Sequence, residues 1–598
     1  MEKALNVLND GETRLAVRAY GSDFIADMIA HYGIRYAAFN PGATFRGIHD
    51  SLVNYLGESK VEILECNHEE ISVAIAHGYA RATGKPMIAI AHNVVGLQHA
   101  SMAIYNAWCD RVPVMVLGGT GPMNYENRRP GSDWVHTALI QGNQVRDYVK
   151  WDDQPADLES VPESFNRAYR TMMTEPQGPV YVCFDATIQE SEYETFPGLP
   201  DIDRLRPASN PGVDSETLAR IAKAILEAEN PIIVADRAAR TEEAFQGVFR
   251  LADEWMIPVI DKGQRHNFPN THPMALSDKA NELIQGADYI LALDVLDLYG
   301  ALHTVNRLTR QTEPLYGKDA VITHVTLDGY LVRSWAGDFR KLQPVNESIA
   351  ADTAVFVPQL AEVCHVLGTG ELQAAAQKNK AARVQKWGGR LAELRKEWRE
   401  TAEIKTDEEP IALSTLALEL WKEIQHEDWV LANGNLNGWV SRIWEIEERH
   451  QYSGKMPGGG LGYGIGASIG VALAHPDKLC VNIQSDGDML FTPSALWTLA
   501  HHNIPMLIVM NNNRSYYNSE EHGMLIARHR GRPEENAGIG TQIVDPPVDF
   551  GKLAQSMGIY GEGPVTRSED VGPAIRRALH IIKTEKRAAL VDIVTQNR

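Results

Sequence analysis

The sequence is sparing in the features that would place it outside ordinary globular proteins. Its five cysteines, Cys66, Cys109, Cys183, Cys364 and Cys480, lie far apart and form no CxxC pair. That argues against a disulfide framework or a structural zinc site. It leaves the cysteines as small buried apolar residues in a reducing, cytoplasmic setting. No run of 18 apolar residues occurs, so no membrane span is expected. The opening MEKALNVLNDGETRLAV mixes acids with bases and lacks an apolar signal core. Positive charge is scarce, with 57 Lys and Arg against 78 Asp and Glu and a net charge of −21. That opposes a large nucleic-acid footprint and still permits a local pocket for an anionic cofactor. There is no GxGxxG. What is present is 598 residues, 44% hydrophobic and 23% charged, enough for several soluble domains and too many for one core.

Three α/β units follow one another. In the first, RYAAFN (35–40), VEILEC (61–66), PMIAIAH (86–92), PVMVLGG (113–119) and PVYVCFD (179–185) read as strands buried on both faces. Stretches of helix length separate them, the pattern of a doubly wound parallel sheet. A proline-rich linker at 197–215 precedes a second unit with strands NPIIVAD (230–236), IPVID (257–261), YILALD (289–294) and VITHVTLD (321–328). A charged, helix-favouring stretch, interrupted near Gly388-Gly389, leads into the third. There WVLANG (429–434), KLCVNIQS (478–485), PMLIVMN (505–511) and AALVDIV (588–594) are strands. The boundaries expected are 1–196, 197–370, a linker helix over 371–408, and 409–598.

The chemistry concentrates at SDGDMLFTPSALWTLAHHNIPMLIVMNNN (485–513). Asp486 follows one strand and Asn513 the next, 27 residues on, the length of a βαβ crossover. Both belong at the carboxyl edge of adjacent parallel strands, where open sheets bind ligands. A carboxylate and an amide oxygen are hard ligands suited to Mg²⁺ or Ca²⁺, and Mg²⁺ completes its shell with phosphate and water. Gly487 lets backbone approach a phosphate at a helix start. Alone, Asp-Gly is a tight turn and NNN a polar loop; together at this spacing they favour a metal–diphosphate site.

Here the chain resembles the thiamine diphosphate (ThDP) enzymes of the acetolactate synthase and benzoylformate decarboxylase-like family, whose signature is GDG followed by NN. The resemblance implies Mg²⁺ ligands at Asp486, Asn513 and the carbonyl of Ser515. It departs at Ser485, in place of the first Gly, and at Asp488, where a small hydroxyl residue often contacts the diphosphate. A carboxylate there repels phosphate unless it turns away or the metal bridges it. In GGGLGYGIGASIG (458–470), Leu461 stands 25 residues before Asp486, where the family carries the apolar residue that bends the cofactor, with Gly460 beside it. The glycines beyond Gly464 read as close helix–sheet packing. ANGNLNGWV (432–440), with Asn435, is similar to the family's earlier diphosphate loop, though an Asn-Gly turn explains it nearly as well.

In the first unit, VEILECNHEEISVAIAHGYARATGKP (61–86) places two acids where a strand yields to a helix. Acids at a helix start are ordinary. The family's activating glutamate, however, lies nine residues before the Gly of GYA, and here that is Glu69 before Gly78. Its carboxylate, bonded to the aminopyrimidine ring nitrogen, prepares the cofactor to lose its thiazolium C2 proton. Glu70 is then a helix-start acid or a supporting contact. His92 ends a strand in AIAHNVVGLQHASMAIYNAW, a segment similar to benzoylformate decarboxylase, where a His relays protons; this makes it a candidate acid–base. Asn93, Gln98 and His99 are weaker candidates. FNPGATF (39–45) matches the substrate loop with Ala43 and Thr44 in place of Ser or His. The polar stretch 514–538 reads as a substrate lid or a solvated loop, with Tyr516, Tyr517, Glu520 and His522 as candidate contacts.

The middle unit has Asp236 and Arg237 where nucleotide-binding glycines would stand, so FAD is not supported, while an ADP or CoA site stays open. The resemblance to benzoylformate decarboxylase, whose matching region reaches the active site, adds His303 as a candidate. The expected function is ThDP- and Mg²⁺-dependent cleavage or formation of a C–C bond next to a carbonyl, as in a 2-oxo acid decarboxylase or carboligase. The alternatives are a 2-hydroxyacyl-CoA lyase, a cyclic-dione hydrolase, or a non-catalytic regulatory subunit. In this family Glu69 and the diphosphate site belong to different subunits, which implies a homodimer at least and commonly a homotetramer, with a small carbonyl substrate and no nucleic-acid or membrane partner.

Overall fold

The computed structural model describes residues 6–7, 13–57, 60–131, 133–330 and 341–597, so most of the opening stretch lies outside the described residues. Three parallel sheets carry the chain. The first has six strands in the order Glu62–Glu65, Tyr36–Phe39, Met87–Ala91, Val114–Thr120, Val180–Asp185, Trp151–Asp153. The second runs Val259–Asp261, Pro231–Ala235, Tyr289–Leu293, Val321–Val325, Glu347–Ile349. The third runs Trp429–Asn433, Leu479–Ser485, Leu507–Asn512, Ala589–Val594, Tyr560–Val565. Strands such as Met87–Ala91 and Val180–Asp185 are buried throughout, because helices cover both faces and every side chain meets apolar neighbours. Among the described residues no helix is long and apolar enough to cross a membrane. All five cysteines are free and buried.

The middle unit has its own core; the first and third units each have one too and share a further cluster between them. Helix Glu69–Thr83 of the first lies along helix Tyr463–Ala474 of the third, with Ile71, Ile75, Ile465 and Ile469 fully buried. Small residues permit the approach. A Cβ on Gly78 would fall on the carbonyl of Ala467, 2.8 Å from its carbon, and one on Gly470 would lie 2.5 Å from the Tyr79 nitrogen. The late glycines of 458–470 therefore serve helix–helix packing between units, where the sequence suggests helix–sheet packing. Both helices begin at the same end, so the loops before Glu69 and Tyr463 meet. Gly458 N donates to Asn106 Oδ1 at 2.9 Å.

Three helices, Thr353–Thr369, Gln373–Trp387 and Arg390–Ile404, connect the middle and third units. The last two break at Gly388–Gly389.

Candidate active site

The third sheet ends in a cavity of about 500 Å³ lined by Asn435, Leu461, Asp486, Gly487, Asp488, Asn513, Ser515, Tyr516 and Tyr517, among others. Ser485 pairs with Asn511 across adjacent strands, so Asp486 and Asn513 leave the sheet side by side. Asp486 is 2% exposed. Its Oδ1 accepts from Gly487 N at 2.9 Å and its Oδ2 from Ser515 N at 3.2 Å. Burial pushes its pKa up to about 6, against the pull of those N–H groups. Asn513 Oδ1 accepts from the same Ser515 N at 3.1 Å, which holds both oxygen donors around one turn. The middle asparagine, Asn512, turns inward and donates to Asp592 Oδ1 at 2.9 Å. A buried carboxylate with no cationic partner among the described residues, beside an amide oxygen, suits a hard divalent cation.

Three neighbours are set by contacts from distant parts of the chain. Asp488 reaches the cavity wall, but its carboxylate is turned to the helix start. Oδ1 accepts from Gly462 N at 2.7 Å and Oδ2 from Gly464 N at 3.1 Å and from Gln484. It caps helix Tyr463–Ala474 rather than facing a phosphate. At Gly487 the space a Cβ would take is occupied by the Tyr516 ring, 2.6 Å away, so the glycine accommodates that ring. At Gly460 the limit is Met102, whose Cε would lie 2.6 Å from a Cβ.

Asn435 sits in a loop whose backbone is unusual: Gly434, Leu436, Asn437 and Gly438 all have positive φ, +47° at Leu436 and +54° at Asn437. Such conformations disfavour non-glycine residues and gather at functional sites. Asn435 also lines a second cavity of about 270 Å³, with Asp261, His266, Trp398, Tyr452 and Lys455.

The first unit contributes a second cluster. Glu69 opens its helix and is 3% exposed. Its Oε1 accepts from Asn40 Nδ2 at 3.1 Å and its Oε2 bonds His99 Nδ1 at 3.2 Å. Burial raises the pKa of this carboxyl, yet the bonds from Asn40, from a backbone N–H and from His99 together outweigh burial and leave it below the ordinary range. Gly96 lies between Glu69 and His92: a Cβ there would be 2.9 Å from Glu69 Oε1 and 3.1 Å from His92 Cβ. His92 Nδ1 bonds Thr44 Oγ1 at 3.1 Å, and Thr44 also accepts from Asn93 N. Burial, then the neighbouring His136, pushes the His92 pKa down. Glu70 faces the third unit, and burial followed by Asp488 raises it to about 7.

The remaining candidates divide. Thr44 is buried on His92, while Ala43 is exposed and gives its carbonyl to Arg129 Nη1 at 3.2 Å. Gln98 is exposed. Asn93 is fully buried beside His92. The stretch after Asn513 forms helix Tyr517–His529. Tyr516 and Tyr517 reach the cavity, the exposed His522 does not line it, and buried Glu520 bonds Ser515 and Gln542. His303 stacks on Tyr299, with centroids 3.8 Å apart, and bonds its carbonyl. At the carboxyl end of the middle sheet Asp294 pairs with Arg111 of the first unit at 2.8 Å and with Arg240 at 2.6 Å. Two arginines thus hold Asp294 at this end of the middle sheet.

Sequence reasoning missed Asn40, which secures Glu69, and His136, whose ring meets His92 edge-on at 5.3 Å. No local pattern marks either.

Comparison with known proteins gives three domain models in order. These are the thiamine pyrophosphate enzyme N-terminal TPP binding domain over 20–144, the central domain over 218–311 and the C-terminal TPP binding domain over 432–593. A probable acetolactate synthase large subunit of Methanocaldococcus jannaschii is 24% identical over 572 residues, covering 92% of this chain and 88% of that protein. The acetolactate synthase isozyme 1 large subunit of Escherichia coli is 22% identical, covering 85% of this chain and 84% of that protein. Among solved structures, the thiamine diphosphate-dependent 4-hydroxybenzoylformate decarboxylase of Rhodococcus jostii RHA1 shares the fold. Its TM-score is 0.74 at 19% identity, covering 97% of this chain and all of that one. Each domain model falls on one of the three sheet units, and the chain belongs to the thiamine pyrophosphate-dependent enzymes.

Proposed function

We propose that the protein is a lyase or carboligase that cleaves or forms a C–C bond next to a carbonyl, with a 2-oxo acid as donor. The observation that carries this is the pairing of Asp486 with Asn513 at adjacent strand ends, in one cavity with Leu461. Asp486, Asn513 and Ser515 would hold Mg²⁺, and through it the diphosphate. When bound, the cofactor supplies a nucleophilic carbon and then an electron sink.

The chain's own residues do the rest. Leu461 supplies an apolar wall beside the metal site. Glu69, buried and kept anionic with the help of Asn40 and His99, would hold the ring nitrogen of the aminopyrimidine by a hydrogen bond. Thr44 engages His92 at Nδ1, which leaves Nε2 to give a proton to the reacting carbonyl oxygen or to take one from the hydroxyl it becomes. His92, with its pKa lowered by burial and His136, is a neutral base at physiological pH.

We also propose a homodimer at least, with Glu69 of one subunit facing the Asp486 cavity of the other, and a homotetramer as the larger assembly. In support, the residues lining that cavity all come from 413–596.

One experiment addresses both proposals. Glu69→Gln should retain ThDP and lose turnover, read by product mass analysis across 2-oxo acids, 2-hydroxyacyl-CoA esters and cyclic diones. Asp486→Asn should lose the cofactor. Mixing the two inactive proteins should restore part of the activity, through hybrids with one intact site. Normal turnover by Glu69→Gln overturns the assignment, and mixtures that stay inactive overturn the shared site.

A further inference from the structure

We infer that His99 is a positioning residue for Glu69, fixing the carboxylate's orientation and charge and so setting how fast the bound cofactor is activated. The inference rests on the proposed contact between Glu69 and the aminopyrimidine ring.

The two oxygens of Glu69 are held by different elements. Asn40, just after strand Tyr36–Phe39, takes Oε1, and His99, on helix Val95–Asp110, takes Oε2 at 3.2 Å. The His99 ring is itself fixed in plane. It stacks on His68, with centroids 5.0 Å apart and 17° between planes. His68 is anchored in turn, because its Nδ1 accepts from Glu70 N at 3.1 Å and caps the helix that Glu69 opens. A half-exposed imidazole on a loop-facing helix turn would otherwise move freely. Here a stack, a cap and a charge-assisted bond define one position for the buried carboxylate.

His68, Glu69 and His99 also offer ligand atoms within 4.8 Å of one another, the spacing of a metal set. A neutral His68 that accepts at Nδ1 carries its proton on Nε2 and has no lone pair left to donate. The clamp accounts for the cluster without an ion.

The consequence is electrostatic. Glu69 must leave a proton on the ring nitrogen it contacts, so a less basic carboxylate favours the activated cofactor. Burial raises its basicity, while Asn40 and His99 lower it. The titratable groups facing Glu69 are His99, the adjacent His68, and His92 across Gly96. Removing His99 takes away a donor, makes Glu69 more basic and moves the acid limb of activation to higher pH.

The test uses the holoenzyme with ThDP and Mg²⁺. Hydrogen–deuterium exchange at the thiazolium C2 is followed by quenched-flow NMR across pH, beside ThDP affinity by fluorescence titration. His99→Ala should slow exchange roughly three- to tenfold at neutral pH. It should also shift the acid limb upward, and leave ThDP affinity within about threefold, a change under 1 kcal/mol. His99→Asn, which keeps a neutral donor, should recover part of the rate. A His99→Ala protein with parental exchange and an unmoved acid limb overturns the inference. If Glu69→Gln, measured alongside, also exchanges at the parental rate, the reading of Glu69 itself fails. If Glu69→Gln is slow and His99→Ala is not, the positioning role alone fails.

Discussion

Gly78→Ala probes the joint on which the candidate site is mounted. The helices Glu69–Thr83 and Tyr463–Ala474 cross so closely that a Cβ on Gly78 would lie 2.8 Å from the Ala467 carbonyl carbon and 2.9 Å from its Cα. Ordinary carbon contacts need ~3.5 Å, and the obstacle is backbone, which no rotamer change relieves. Overpacking of this kind costs roughly 1–3 kcal/mol, with a backbone clash at the upper end. Alanine returns about 1 kcal/mol of helix propensity over glycine. The net is a loss of about 2 kcal/mol, or roughly 4–8 °C in Tm for units of this size. Because Glu69 and the loop carrying Leu461 stand at the starts of these helices, ThDP affinity should fall as well. Thermal melting and fluorescence titration of ThDP read the two effects. Gly198→Ala, with nothing within 4 Å of its Cβ, should stay within about 0.5 kcal/mol. A Gly78→Ala protein that melts with the parent refutes the packing argument.

Two other perturbations separate roles that the site leaves adjacent. Asp488→Ala strips the bonds to Gly462 N and Gly464 N. It should cost about 1–2 kcal/mol of stability while ThDP still binds; loss of cofactor at unchanged Tm would make Asp488 a phosphate contact instead. His92 has a lowered pKa, so its base form persists below the ordinary imidazole range, and activity should fall only as pH drops through that lowered value. His92→Ala should remove this limb and slow turnover about 10²-fold or more, and an unchanged pH–rate profile would exclude His92 from proton transfer.

Much of the architecture was legible because buried parallel strands leave long Val, Ile and Ala runs, as in PMIAIAH and PVYVCFD. Trp151–Asp153 and Glu347–Ile349 were not, since an edge strand three residues long has no periodicity to read. In the candidate site, Asp486 and Asn513 stand out because a crossover fixes their spacing, and Glu69 because it stands nine residues before Gly78 on the same helix. The reason for Gly78 lies almost 400 residues away, at Ala467, and no local pattern holds it. Asp488 was ambiguous for a related reason: its partners Gly462 and Gly464 decide which way it turns, and they precede it by a whole strand and helix. Asn40 and His136 reach Glu69 and His92 from other loops at the sheet edge, so only the folded chain reveals them.

The central claim is that one ThDP bridges the Asp486–Asn513 cavity and a Glu69 carboxylate, and a crystal structure with ThDP and Mg²⁺ tests it most directly. The account predicts the cation on Asp486, Asn513 and the Ser515 carbonyl, Leu461 against the cofactor, and the aminopyrimidine ring within hydrogen-bond distance of Glu69. A diphosphate held instead in the second cavity, beside Asp261 and Lys455, or a pyrimidine ring away from every Glu69, would contradict it.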